Sequence, residues 1–370
     1  MAIKTENEDE LIHLIALKAV SGLGPILCRN LVAYCGSAKN VFSKNKSQLE
    51  KIPGIGNNTA HAIRNATQNI AQAEIELSYY QKNNISVIPY FDTRFPTNLK
   101  EIPDSPVVLY IQGETKFNDQ IFVSIVGTRT PTEYGRKQAA RFTECLSAAN
   151  INIVSGLAFG IDAEAHKTAL ANNALTTAVI AHGLDRIYPQ QHKQLAQKII
   201  DSGGSIISEY PVYTKPEPVF FPARNRIIAG LSIAVIVVEA AHKGGALITA
   251  RLAFDYDRDV YAVPGNLGNK TSEGCNALIQ KNIAKIIINP EDLLTEIMPV
   301  INSPKPKIAT SLLLTQEQQI VLNVLADQTL ALDKLHDLTQ ISIGNLISIM
   351  LELEFSGLVK QLPGRLFVKI

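Results

Sequence analysis

At 370 residues, 46% hydrophobic and 19% charged, the chain can bury a core of ordinary size and should divide into two or three domains. Its formal charge of +1 excludes a protein that coats polyanions by bulk attraction, so any nucleic-acid site must be a local basic groove in a neutral molecule. The cysteines Cys28, Cys35, Cys145 and Cys275 form no Cys-x-x-Cys pair and have no histidines at zinc spacing; buried thiols in a reducing compartment are expected, with neither disulfide nor metal. Met1 to Glu10 is acidic and polar, unlike a signal or transit peptide, and no apolar run reaches the roughly 20 residues that span a bilayer. The expectation is a cytoplasmic protein without membrane contact.

Residues 1–83 read as a helical domain. Two similar punctuations, Ser21-Gly22-Leu23-Gly24-Pro25 and Ile52-Pro53-Gly54-Ile55-Gly56, each precede a helix-like stretch. This is the pattern of paired helix-hairpin-helix motifs, whose Gly-apolar-Gly turn lets backbone amides approach a DNA phosphate. Tight turns in a small helical bundle explain the same pattern, since only His61 and Arg64 supply basic character near the second turn.

Residues 84–298 change to short β-branched runs alternating with helical patterns: Ile85 to Ile88, Val107 to Tyr110, Ile121 to Val126, Ile151 to Val154, Thr177 to Ala181, Ser205 to Ser208, Ile233 to Val238, Val260 to Val263 and Ile286 to Ile288. Near-continuous apolar strands of this kind predict an extended Rossmann-like α/β domain with a parallel sheet covered on both faces. Ligands of such sheets bind beyond the carboxyl ends of the strands. There the chain places Gly127-Thr128-Arg129, then Ser155 to Gly160, then Lys243-Gly244-Gly245-Ala246.

Prolines and lysines in 299–314 predict a linker. Residues 315–370 then show three helical patterns, Gln316 to Ala326, Leu330 to Leu338 and Ile343 to Phe355. A hairpin-like end follows, in which Leu358 to Gln361 and Leu366 to Val368 flank Pro363-Gly364-Arg365. That order predicts a winged helix. Its third helix carries Glu352 and Glu354 and no basic residue, which favours protein contact over DNA reading, with Lys360 and Arg365 on the wing as phosphate candidates.

The candidate site centres on Phe221-Pro222-Ala223-Arg224-Asn225-Arg226, two guanidinium groups and an amide between a proline and an apolar run. Arg129, in its turn with Gly127 and Thr128, offers a second forked donor for phosphate oxygens. The turn lacks the three spaced glycines of a dinucleotide fingerprint, and no acidic residue closes the following strand, so NAD or FAD is not expected and no cofactor is assigned. Arg224 and Arg226 diverge by about 200° on a helix and cannot both meet one phosphate. One is expected at the ligand, and the other paired with a carboxylate such as Glu209 or Glu239. Lys215 lies on a proline-stiffened loop where a solvated lysine is the ordinary reading, while Phe220 and Phe221 are either hydrophobic plugs or stacking platforms for bases. Asp162 and His166, at i and i+4, suggest a hydrolytic pair only by proximity; a helix-stabilising pair is the simpler reading, because no Gly-x-Ser-x-Gly elbow or second histidine accompanies them. His182 and His242 follow strands as hydrogen-bonding groups or pocket walls.

Taken in order, these motifs resemble the DNA processing protein A family, single-strand DNA-binding mediators of bacterial natural transformation. The resemblance runs nearly the full length: Phe95 to Asp104, Ser124 to Arg129, Val154 to His166, Gly183 to Pro189, Ser208 to Pro211, Phe221 to Gly230, Ala246 to Ala250, Val263 to Gly265 and Gly274 to Asn276. It implies a central domain that binds single-stranded DNA in a basic pocket, forms a homodimer, and loads RecA recombinase onto strands covered by single-strand-binding protein, with no reaction catalysed. The family's Gly-Ser/Thr-Arg turn matches Gly127 to Arg129 and its Phe-Pro-x-Arg-Asn-Arg segment matches Phe221 to Arg226; Gly156, Lys215, Phe220 and Lys243 complete the implied DNA-binding set. The chain departs from the family at Ala241 to Ala246 and at Ala181-His182-Gly183. The competing reading, a nucleoside-monophosphate phosphoribohydrolase, needs Pro-Gly-Gly-x-Gly-Thr with a nearby catalytic glutamate, whereas Lys243 to Thr249 has no glutamate following.

Overall fold

A computed structural model describes residues 6–114, 116–302, 314–325, 328–355, 358–362 and 366–369. The wing-tip residues Pro363, Gly364 and Arg365, and 303–313 of the expected linker, lie outside the described residues. The chain forms two units, Met1–Met298 and Pro299–Ile370.

The first unit begins with six helices: α1 (Glu6–Lys18), α2 (Pro25–Cys35), α3 (Ala38–Ser43), α4 (Lys46–Leu49), α5 (Asn57–Asn65) and α6 (Gln68–Lys82). The two glycine punctuations have matching geometry. Gly22 and Gly54 are left-handed, and Gly24 and Gly56 stand in extended backbone immediately before α2 and α5, neither of which has a side-chain cap. Arg64 of α5 is spent locally, its Nη1 donating to the carbonyls of Phe42 at 2.9 Å and Lys44 at 3.1 Å.

The apolar runs become β1 (Ile85–Pro89), β2 (Val108–Gly113), β3 (Phe122–Gly127), β4 (Asn152–Ser155), β5 (Thr176–Ile180), β6 (Ser205–Ser208), β7 (Ala234–Val238), β8 (Asp259–Ala262) and β9 (Lys285–Ile286). They form one nine-stranded sheet in the order β1-β2-β6-β5-β4-β3-β7-β8-β9. From β6 to β9 all neighbours are parallel, whereas β2 runs antiparallel to both β6 and β1. The sheet is therefore mixed at one edge, as large α/β sheets often are. Between the strands lie α7 (Thr97–Glu101), α8 (Glu133–Ala148), α9 (Ile161–Ala171), α10 (Lys193–Asp201), α11 (Phe220–Leu231), α12 (Gly245–Asp255) and α13 (Glu273–Gln280); α14 (Pro290–Asn302) follows β9 and runs to Asn302, past the expected linker start.

Alternation along the strands sorts the two faces. Val108, Tyr110, Ala178, Ile180 and Ile206 pack with α9, α10 and the N-terminal helices; Leu109, Ile111, Val179 and Ile207 pack with α7, α11, α12 and α13. The N-terminal helices are anchored by polar groups as well. Lys18 Nζ donates to the Glu209 carbonyl, Arg29 Nη2 donates to the Pro103 carbonyl, and the Tyr80 hydroxyl accepts from Val212 N at 2.8 Å while its ring stacks on Tyr110 at 4.6 Å.

The second unit has α15 (Gln316–Val324), opened by a Thr315/Gln318 capping box, then β10 (Leu330–Ala331), α16 (Leu332–Thr339), α17 (Ile343–Phe355), β11 (Val359–Leu362) and β12 (Leu366–Lys369). The strands form a sheet in the order β10-β12-β11 over a core containing Val321, Leu335, Leu346, Met350, Leu353, Val359 and Phe367. This is the expected winged helix with one addition, the two-residue β10, too short for any alternation to reveal.

His166, on α9, is fully buried. Its Nδ1 meets Thr176 Oγ1 at 2.7 Å, and because that hydroxyl donates to the Ile153 carbonyl at 2.9 Å, Nδ1 carries the proton and Nε2 is left without a partner. Burial, reinforced by His192 and Arg224, brings its pKa down to about 3. The unfolded chain takes up this proton below an ordinary pKa of about 6.5 and the fold does not, so His166 removes stability as pH falls from 6.5 toward 3. Denaturant titrations at pH 7 and pH 5 should show the parent protein losing about 2 kcal/mol more than His166→Gln over that interval; equal losses would show that the imidazole is not held neutral.

Candidate functional site

Strand order reverses at β3. The chain runs from β3 through β4, β5 and β6 on one side, then returns to place β7, β8 and β9 on the other. Loops leaving β3 and β7 therefore diverge above the sheet and leave a crevice, the usual ligand position in such folds. A cavity of about 580 Å³ opens there, lined by Gly127, Thr128 and Arg129 from the β3 loop, Phe221, Arg224 and Asn225 from α11, and Lys243, Gly244 and Gly245 from the β7 loop, with Tyr188 and Asp162 contributing. The turn of Arg129 and the helix of Arg224, far apart in sequence, thus share one cavity.

Glu239, just after β7, holds the loops in place. It is buried, left-handed in its backbone at φ +53°, and its carbonyl accepts from Thr128 N at 2.8 Å. Its carboxylate accepts from Thr132 N at 2.8 Å, Thr132 Oγ1 at 2.6 Å and Thr271 Oγ1 at 3.1 Å. A glutamate kept in a left-handed conformation requires such surrounding support.

Arg224 is only 4% exposed. Its Nη1 donates to the carbonyls of Gly156 at 2.8 Å and Val179, so the guanidinium bridges the ends of β4 and β5. Burial lowers its pKa to about 10, with Asp162 opposing, and it stays charged at neutral pH. Asp162 Oδ2 accepts from the amides of Gly156 at 3.1 Å and Ala158 at 3.3 Å; burial raises its pKa while Arg224 and these hydrogen bonds pull it back. A Cβ on Gly156 would stand 2.7 Å from both guanidinium nitrogens and from Asp162 Oδ2, which explains a glycine here. Asp162 and Arg224 are thus buried charged neighbours, each hydrogen-bonded to backbone groups at the strand ends, and Asp162 and His166 have separate partners.

The cavity's cationic wall is formed by exposed Arg129 and Lys243 and by the start of α12. Gly244 precedes that helix and offers no side-chain cap, and Gly245 and Ala246 line the cavity, so the uncapped amino end of α12 borders it. Asn225 Nδ2 donates to the Gly245 carbonyl at 3.2 Å, fixing where α12 begins. Aromatic side chains complete the lining. The Phe221 ring is half-buried, with the Arg129 guanidinium 5.5 Å above its centroid and the Tyr188 ring 5.8 Å away.

Four expected positions do not line this cavity. Arg226 projects from the other side of α11 into an ion pair with Glu209, with Asp104 at 3.8 Å, and lines a separate cleft beside Lys18. Phe220 packs on Tyr210 with ring centroids 4.5 Å apart. Lys215 is exposed on its loop and does not line the cavity. Gly156 lies beneath the cavity as the seat of Arg224. His182 is buried, its Nε2 accepting from Tyr188 N at 3.2 Å, and exposed His242 is not among the lining residues. Tyr188 was not anticipated from the sequence; an aromatic in the loop after a strand was its only signal. Among the described residues no cluster of His, Cys, Asp or Glu fits a metal ion, and no helix is long and apolar enough to cross a membrane.

Comparison with known proteins agrees with this architecture. Protein Smf of Synechocystis sp. is 35% identical over 96% of this chain and 98% of its own length. The X-ray structure of DNA processing protein A from Streptococcus pneumoniae aligns with a TM-score of 0.65 at 34% identity, covering 80% of this chain and 99% of that one. The structure of DNA processing protein A from Helicobacter pylori, described for its single-stranded DNA binding mode, aligns with a TM-score of 0.53 at 32% identity over 58% of this chain and 96% of that one. The DprA winged helix domain matches residues 303–365, and DNA recombination-mediator protein A matches 86–298. The chain belongs to the DNA recombination-mediator protein A family.

Proposed function

We propose that this cavity binds single-stranded DNA and that the chain is a recombination mediator, protecting incoming strands and loading RecA onto them, without a catalytic step of its own. The observation that carries the reading is the joint cationic and aromatic lining of one cavity. Arg129, Lys243 and the uncapped amino end of α12 suit phosphate oxygens, while Phe221, under Arg129, and half-exposed Tyr188 supply aromatic surface for a base. An unpaired strand presents both at once. The single-strand-binding relative from Helicobacter pylori supports the same assignment.

Family membership supports a cytoplasmic homodimer that meets RecA and single-strand-binding protein. The non-enzymatic reading is supported by the chemistry of the lining. Among the described lining residues Asp162 is the sole carboxylate, and it is buried against Arg224 and two amides, leaving no free general base at the cavity.

With the full chain and a labelled oligothymidine, Arg129→Ala and Lys243→Ala should each weaken binding and lower the slope of log affinity against log salt by about 1. Unchanged affinity in both variants would remove the assignment. Arg224→Met is expected to act on folding, costing about 1–3 kcal/mol in urea denaturation because the buried carbonyls of Gly156 and Val179 lose their donor; wild-type stability in that variant would contradict this bridging role. The mediator role is read from RecA assembly on strands precoated with single-strand-binding protein. Wild type should accelerate assembly and folded Arg129→Ala should not.

A further inference from the structure

Tyr188 stands in the loop between β5 and α10, lines the cavity and is 48% exposed. Its ring lies 5.8 Å from Phe221 and is tilted by 52° to it, while the Arg129 guanidinium covers a face of Phe221. A half-exposed aromatic at the mouth of a charged cavity presents a face that a planar ligand can cover. The position is built rather than incidental. Tyr188 N donates to His182 Nε2 at 3.2 Å, His182 is buried with Nδ1 3.0 Å from the Gly183 carbonyl, and Ser208 Oγ donates to the His182 carbonyl. His182 therefore serves as a neutral acceptor that fixes the backbone beneath the ring, and burial, the main cause of its lowered pKa, keeps it neutral.

Resting on the single-strand reading of this cavity, we infer that Tyr188 is a base-stacking platform, continuing an aromatic tier begun by Phe221, while Arg129, Lys243 and the α12 amides hold the adjoining phosphates. Stacking accepts any base, since all four present a π-face. It also demands an unpaired base, because in a duplex those faces are covered by neighbouring pairs. Tyr188 thus discriminates strandedness, where the cations alone report only negative charge.

The test uses the full chain with two strands of equal length and charge, oligothymidine and an abasic deoxyribose-phosphate oligomer. Wild type should prefer the thymidine strand. Tyr188→Ala should weaken thymidine binding about tenfold, the size of one lost base–aromatic stack, and leave abasic binding within about twofold, while Tyr188→Phe retains both. Equal wild-type affinity for the two strands overturns the inference, as does a Tyr188→Ala loss of the same size on both; neither result requires the variant to match wild-type stability. Arg129→Ala separates the two levels. If it weakens both strands while Tyr188→Ala is silent, the phosphate site stands and stacking on Tyr188 falls. If Arg129→Ala is silent as well, the single-strand reading of the cavity falls with it.

Discussion

The buried guanidinium of Arg224 is the constraint on which the site depends. Two β-strand ends, β4 and β5, carry loops that would otherwise be free to settle independently, and a single planar cation donates to a carbonyl on each. The accompanying carboxylate, Asp162, binds the amides of the same β4 loop. Backbone donors and acceptors at the sheet's end are thus satisfied from within, which buried polar groups require. The floor of the cavity is therefore rigid before any ligand arrives. The groups left to meet a ligand, Arg129 and Lys243, are exposed and free to adjust.

This division explains how a chain with a formal charge of +1 can gather cationic groups at one cavity. Much of its positive charge is balanced locally, as in the pairs of Arg226 with Glu209 and Arg258 with Glu101. What distinguishes the cavity is the convergence of uncompensated donors: two flexible cations and the positive end of one helix dipole. Contacts with a ligand are accordingly few and local.

The sheet was legible because its central strands are buried on both faces and so read as unbroken apolar runs; Val235 to Val238 is fully apolar for that reason. The reversed direction of β2 was not legible, since a buried strand has the same composition whichever way it runs. In the site, the i, i+2 spacing of Arg224 and Arg226 disclosed that they must part, and Glu209 is the partner of one. Which of them turned inward, and that it would bind carbonyls, depended on Gly156 and Val179, which are distant in sequence. Lys215 and Phe220 were drawn in by neighbourhood along the chain, yet Phe220 packs on Tyr210 instead. Tyr188 stayed hidden because its place is set by the His182 side chain.

Helix α11 has one more property. Asn225, facing the cavity, and Arg226, facing Glu209, are adjacent residues on the same rigid rod. The Glu209 carbonyl in turn receives Lys18 from α1. Any torque that an occupant exerts on α11 is therefore loaded onto the amino-terminal helices through a continuous train of buried ionic and hydrogen-bonded joints. The amino-terminal helices and the sheet are thus joined through Glu209 on the side of α11 that lies away from the cavity.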